Sequence, residues 1–245
     1  MNETIRKMTQ HASVRAFEDQ PLPTETKTAL LAAARSGSSS NFVQAFSIIE
    51  ITDSLLRQKI AHLTNSAQYV EHSGAFYLFI ADLYRQSQIL TKAGQSLAAL
   101  QTMESLTVAI VDATIAAQNM AVAAESLDLG ICYIGGIRND CAQVADLLQL
   151  PKFTVPLMGL TIGIPTQRNE VKPRLLKQNQ VATNIYPAAT FSDLTAYEEQ
   201  TTAYYASRTT NQQDSSWSEK NRVFFTDIRR PAYTEFLKQQ GFLMN

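Results

Sequence analysis

The chain has 245 residues, 45% of them hydrophobic and 18% charged, with a formal net charge of −1. That is the composition of a folded protein with a sizeable core, and it carries no basic surplus for general binding of nucleic acid or an anionic membrane, so neither partner class is expected. Cys132 and Cys141 form no CxxC pair, and His11, His62 and His72 show no metal-ligand spacing. Two reduced thiols in a cytoplasmic protein are therefore expected, with no metal.

The first ten residues are polar, with no secretory apolar segment. Pro23 and Thr24 form a start signal and Gly37 a stop, which predicts a helix over residues 24–35. Residues 46–51 read as a strand. So do residues 75–80, which are apolar on both faces and so belong in the middle of a sheet. Residues 106–129 are the most apolar long stretch, but Asp112, Gln118, Asn119 and Glu125 interrupt it, which argues against a membrane span.

The clearest helix covers residues 104–129, free of Gly and Pro, with Gly130 as its expected C-terminal stop. One apolar stripe runs through Leu106, Ile110, Ala113, Ala117, Met120, Ala124 and Leu127, and a second through Val108, Val111, Ile115 and Val122. Both sides must be covered, either by core alone or by core on one side and a second subunit on the other; the second arrangement is favoured. Residues 155–163 form a third strand candidate, with Pro156 weakening its first half. Beyond Asp193 the pattern is helical, and Pro231 kinks or divides the last piece. Residues 193–245 read as a helical arm or outer layer of a single domain spanning 1–245.

Four short clusters fall between the periodic segments. His11, Ala12, Ser13, Val14 and Arg15 offer an imidazole, a hydroxyl and a guanidinium whose planar fork suits phosphate oxygens. Ser38, Ser39, Ser40, Asn41 and Phe42 combine close backbone approach with a ring. Tyr133, Ile134, Gly135 and Gly136 offer backbone N–H groups to a flat ligand edge. Lys172, Pro173 and Arg174 hold two cations on an extended segment. Taken alone, the first, second and fourth clusters read as ordinary loop, and the glycines are as often simple turn residues. A GxGxxG after a strand, a Walker A loop, GxSxG, HExxH and an EF-hand loop are all absent.

Taken together and in order, these segments closely resemble the oxygen-insensitive, FMN-dependent nitroreductases of the nitroreductase A and flavin reductase P group. The resemblance rests on H-x-S-V-R-A-F (residues 11–17), A-R-x-x-S-S-S-x-F-x-Q (34–44) and I-x-I-T-D (49–53). It continues with A-A-E-S-L-x-L-G (123–130) leading into Y-I-G-G, then P-L-x-G-L-x-I-G-x-P (156–165), K-P-R-L (172–175) and Y-Y-x-x-R (204–208).

The resemblance implies an α+β fold, a mostly antiparallel central sheet flanked by helices, in an intertwined homodimer with FMN at the subunit interface. It implies that His11, Ala12, Ser13 and Arg15 bind the flavin phosphate and ribityl end, with Lys172 and Arg174 closing over the flavin from the same subunit. It implies that Ser39, Ser40 and Phe42 come across the interface, and that Tyr133, Ile134, Gly135 and Gly136 lie along the isoalloxazine. The flavin carries the chemistry, so no catalytic side chain is required. The implied reaction is ping-pong: NADPH or NADH as electron donor, then two-electron reduction of nitroaromatics, quinones, free flavin or azo compounds. A flavin-binding storage or interaction protein without turnover is the alternative, and a cofactor-free helical protein is a third.

Two positions depart from the pattern. Gln68, carried over as a flavin contact, stands immediately before Tyr69 and Val70 rather than two residues before such a pair. Arg208 matches the cation expected on the nicotinamide nucleotide's 2′-phosphate, but Gln213 stands where NADPH-preferring members carry a second Arg. An amide cannot replace a charge-assisted bond, so a relaxed preference toward NADH is expected.

Overall fold

The computed structural model describes residues 1–208, 212–213 and 215–243. The chain forms two compact units: Met1–Asn169 together with Arg230–Asn245, and Glu170–Arg229.

Among the described residues, the first unit is built on four strands, β1 (Phe46–Glu50), β2 (Ala75–Asp82), β3 (Gly130–Ile134) and β4 (Thr154–Gly163), all antiparallel, in the order β1-β2-β4-β3. Every residue of β2 is buried, as expected of a strand apolar on both faces. Pro156 does not end β4. It pairs with Ile80 beside the register shift between Phe79 and Ile80, and a bulge tolerates a residue that has no N–H to donate.

The helices that precede or flank the sheet are α1 (Glu3–Thr9), α2 (Thr24–Arg35), α3 (Ser54–Leu63), α4 (Ala67–Glu71), α5 (Tyr84–Lys92), α6 (Met103–Ser126) and α7 (Cys141–Leu147). The second unit carries α8 (Ala188–Ser192), α9 (Thr195–Ser207) and α10 (Trp217–Thr226), and α11 (Tyr233–Gln239) belongs to the first unit again. The break between α10 and α11 holds Pro231, as its missing N–H and ring clash require.

Helix α6 is capped by Thr102, whose hydroxyl accepts from the Ser105 N–H at 3.3 Å. By length and composition it could cross a membrane. Instead it is the central helix of this unit, with Leu106, Ala109, Ala113, Ala117, Met120 and Ala124 buried; the last three pack with sheet residues such as Tyr77, Phe79 and Leu160, the first three with Ala81, Val155 and Leu157. Helix α2 lies against its second stripe, where Asn119 Nδ2 donates to the Ala33 carbonyl at 3.3 Å. Val111 on that stripe remains 46% exposed.

The end of α6 corrects the expected role of Gly130. The helix stops at Ser126, and Asp128 takes the left-handed turn at φ 62°. Gly130 opens β3 instead, where a Cβ would stand 2.7–2.9 Å from Val14 side-chain atoms. It is a close-packing glycine, not a cap.

Candidate functional site

The segment from His11 to Phe17 is fastened to β3 and to the end of β4. The Val14 N–H donates to the Ile131 carbonyl at 2.8 Å, and Phe17 forms a bridge with Pro165. Val14 is buried, while Ser13 is half-buried and Arg15 exposed. Burying the valine thus leaves the hydroxyl and the guanidinium at the surface beside β3. Asn169 Nδ2 donates to the Ser13 carbonyl at 2.7 Å and fixes the backbone there.

His11 is held by a residue that the sequence motifs did not single out as functional. Its Nδ1 lies 2.6 Å from Glu125 Oε1, between partly buried side chains. That occupies one ring nitrogen and leaves Nε2 for a ligand. Glu125, Gln118, Ile131, Tyr133, Met8, Ala121 and His11 enclose a small cavity of about 100 Å³. Tyr133 Oη donates to Gln118 Oε1 at 3.2 Å, and burial, with the Glu125 charge adding, pushes the Tyr133 phenol well above its ordinary range.

Beyond Tyr133 the chain turns through Gly135 and Gly136, which do different work. At Gly136 a Cβ would collide with the Thr64 backbone, its carbonyl carbon and Cα both 2.9 Å away. At Gly135 the nearest atom to a Cβ is an Arg138 side-chain nitrogen at 3.6 Å, so that glycine is not required by its own chain. Arg230 Nη2 donates to the Gly135 carbonyl at 3.1 Å and its Nε to Asn139 Oδ1 at 3.2 Å, pinning the turn from behind. Nothing in the linear spacing ties Arg230 to Gly135.

Ser39 and Ser40 sit in a loop anchored by Asp112 on α6, with Ser39 Oγ donating to Asp112 Oδ2 at 2.7 Å. Phe42 points outward, 79% exposed. Gln68 lies on the exposed side of α4. Cys132 and Cys141 are free and buried; burial raises both thiols, Cys141 to about 12, so neither is a poised nucleophile.

In the second unit, Lys172, Pro173 and Arg174 line a cavity of about 190 Å³ with Tyr197, Thr201, Tyr204, Tyr205 and Trp217. Tyr197 Oη donates to the Pro173 carbonyl at 3.1 Å and so fixes the segment between the two cations. Burial alone would raise the Tyr205 phenol, but the neighbouring cations Lys220 and Lys172 outweigh it and hold it below its ordinary range. Lys220 Nζ stands 3.1 Å from the centre of the Tyr205 ring. Arg208 donates to Tyr204 Oη at 3.3 Å, and Gln213 is exposed.

The fold and these motifs define a known class, and the chain belongs to the nitroreductase family. The model of the Nitroreductase family matches residues 8–164, and that of the Nitroreductase family, C-terminal domain, matches residues 172–245. Among curated relatives, the "FMN reductase (NADPH)" of Bacillus subtilis is 38% identical, with 100% of each chain covered. The "Oxygen-insensitive NADPH nitroreductase" of Salmonella typhimurium is 40% identical over 98% of each. Among solved structures, B. megaterium NfrA1 superposes with a TM-score of 0.94 at 38% identity, covering 98% of this chain and 99% of that one. The NADPH:FMN oxidoreductase from Vibrio harveyi complexed with NAD+ gives 0.88 at 33%, covering 100% of both. The α+β fold with its antiparallel sheet is therefore the expected one.

Proposed function

We propose that this protein is an FMN-dependent NAD(P)H oxidoreductase that reduces nitroaromatics, quinones, free flavin or azo compounds in two-electron steps by a ping-pong cycle. Relatives named for this activity align with it along its whole length. The observation that carries the reading is the patch on β3, where one fastened segment leaves a histidine, a hydroxyl and a guanidinium at the surface beside a turn whose Gly135 is open in front.

The residues present fit a flavin mononucleotide. A phosphate monoester needs several donors and positive charge, which His11 Nε2, Ser13 and Arg15 supply from one segment; the family resemblance assigns Lys172 and Arg174 to the same cofactor. A planar ring needs a face without side-chain bulk, and a Cβ at Gly135 would meet only one side-chain atom, at 3.6 Å. Bound FMN supplies the hydride-accepting and hydride-donating chemistry. His11, Ser13 and Arg15 would bind the phosphate, Tyr133, Ile134, Gly135 and Gly136 would hold the ring, and Lys172 and Arg174 would offset negative charge on the reduced flavin. No acid, base or nucleophile is assigned among them. Arg208 binds the donor's 2′-phosphate, with Gln213 weakening the discrimination against NADH.

The protein acts as a homodimer in the cytoplasm. Phe42, Ile185, Tyr186, Phe225 and Ile228 are each more than 70% exposed, and a second copy gives such side chains cover. Two free, buried thiols suit a reducing compartment. Ser39, Ser40 and Phe42 serve the partner's flavin. Initial rates at varied NADPH and varied acceptor test the proposal: parallel double-reciprocal lines with a nitroaromatic or quinone are expected. Absence of turnover in a flavin-loaded protein favours the storage alternative and overturns the enzyme reading.

A further inference from the structure

The loop between α2 and β1 is held in an unfavourable shape by one buried carboxylate at its base, while on α5 Gln86 Nε2 donates to the Val43 carbonyl at 2.7 Å and Arg85 Nη2 to the Gln44 carbonyl at 3.1 Å. Asp112, in the middle of α6, is 1% exposed. It accepts three hydrogen bonds from that loop: Ser39 Oγ at 2.7 Å, the Ser40 N–H at 3.1 Å and the Ala45 N–H at 2.9 Å. Ser39 Oγ in turn accepts from the Gln44 N–H at 2.7 Å. Between these anchors Asn41, Phe42 and Gln44 all take left-handed backbone, at φ 46°, 57° and 50°. Side chains other than glycine resist that region, and an aromatic one does so strongly. Such a run of strained residues persists only where surrounding contacts over-determine it. The product of this arrangement is a phenyl ring standing 79% exposed on a fixed backbone.

A buried charge with three donors would be a poor choice merely to fasten a surface loop, since an apolar contact would do so without desolvating a carboxylate. We propose that Asp112 is a positioning residue: it locks residues 39–45 so that the Phe42 ring is presented in a preset orientation to the flavin pocket of a second copy of this chain. The inference rests on the function proposed above. Asp112 touches neither cofactor nor substrate, and acts only through the loop.

The test is a double-mutant cycle between Asp112→Asn and Phe42→Ala in the purified full chain. Asparagine preserves the shape of the buried side chain but has one acceptor oxygen, and its amide N–H₂ faces existing donors. If wild type binds FMN and turns over, the functional reading stands by itself. Asp112→Asn is then expected to raise the KM for acceptor and the Kd for FMN, the latter by fluorescence titration of the apoprotein, each by roughly tenfold or more, as misplaced contact groups do. In the Phe42→Ala background the same substitution is expected to add clearly less, only what passes through Ser39 and Ser40, because the ring it positions is gone. Equal losses in both backgrounds, or a normal KM and Kd in Asp112→Asn, overturn the proposal. Should Asp112→Asn fail to fold, Asp112→Ser, which removes the carboxylate and keeps one short acceptor, takes its place in the cycle. Losses clearly larger in the Phe42 background then support the proposal, and equal losses in both, or none, overturn it.

Discussion

Gly135 and Gly136 are adjacent and alike in sequence, yet an added methyl should affect them in opposite ways. At Gly136 the new Cβ meets the Thr64 backbone, with carbonyl carbon and Cα both at 2.9 Å. Backbone cannot swing aside as a flexible side chain can, so Gly136→Ala overpacks the contact at a cost of about 1–3 kcal/mol. For a chain of this size that lowers Tm by roughly 2–4 °C per kcal/mol. At Gly135 the nearest atom is an Arg138 nitrogen at 3.6 Å, which is ordinary contact. Gly135→Ala should therefore leave the apoprotein as stable as wild type, or raise stability by about 0.4–1 kcal/mol through the less flexible unfolded chain.

The flavin reverses the order of the two variants. If the ring lies against Gly135, its alanine variant loses FMN affinity by about tenfold, ~1.4 kcal/mol, while its apoprotein melts normally. Thermal melts of both apoproteins and FMN titrations by fluorescence quenching separate the effects. Should Gly135→Ala bind FMN as tightly as wild type, the turn does not line the flavin and that part of the site is wrong.

Glu125→Gln keeps the shape beside His11 but removes the charge from a 2.6 Å contact. It should weaken FMN binding about fivefold, the difference of ~1 kcal/mol between a charge-assisted and a neutral bond, measured by the same titration. Gln213→Arg should raise the ratio of kcat/KM for NADPH over NADH several-fold, with little change in kcat; an unchanged ratio would mean that this position does not reach the 2′-phosphate. Cys141 and Tyr233 both have folded-state values raised to about 12 by burial. A raised value means that the folded state holds its proton longer, so the stabilisation is complete below the ordinary thiol value and is lost as pH climbs toward 12. Cys141→Ala should therefore show a shallower fall in unfolding free energy than wild type between about pH 9 and 12, followed by urea denaturation.

Much of the fold was legible because it rests on local pattern. Helix α2 matches its predicted bounds since Pro23 sets its start, and β2 was readable from apolar residues on both faces. Strand β3 was not, because five residues directly after a long helix carry too little periodicity to separate from a loop. The more instructive cases are the four polar residues that interrupt the apolar run of α6. In the sequence they only argued against a membrane. In the fold each has a distant partner: Asp112 the 39–45 loop, Gln118 the Tyr133 hydroxyl, Asn119 the Ala33 carbonyl and Glu125 the His11 ring. A polar side chain on an otherwise apolar helix must be satisfied somewhere, so the signal that something bound there was present. Which segment bound it depended on contacts as far apart as 114 positions, and spacing does not encode those. Arg230 behind Gly135 was hidden in the same way.

On the proposed function, His11, Ser13 and Arg15 form the phosphate end of a flavin site that works in turnover. The most direct measurement is an anaerobic titration of the purified, flavin-loaded protein with NADPH, followed through the visible flavin absorption, beside the same experiment on Arg15→Ala. Wild type should hold about one FMN per chain, bleach on adding NADPH and regain its colour with a quinone or nitroaromatic, whereas Arg15→Ala should lose its flavin on gel filtration while keeping its Tm as apoprotein. A wild-type chain that binds no FMN, or an Arg15→Ala variant that retains it as firmly as wild type, rules this phosphate site out.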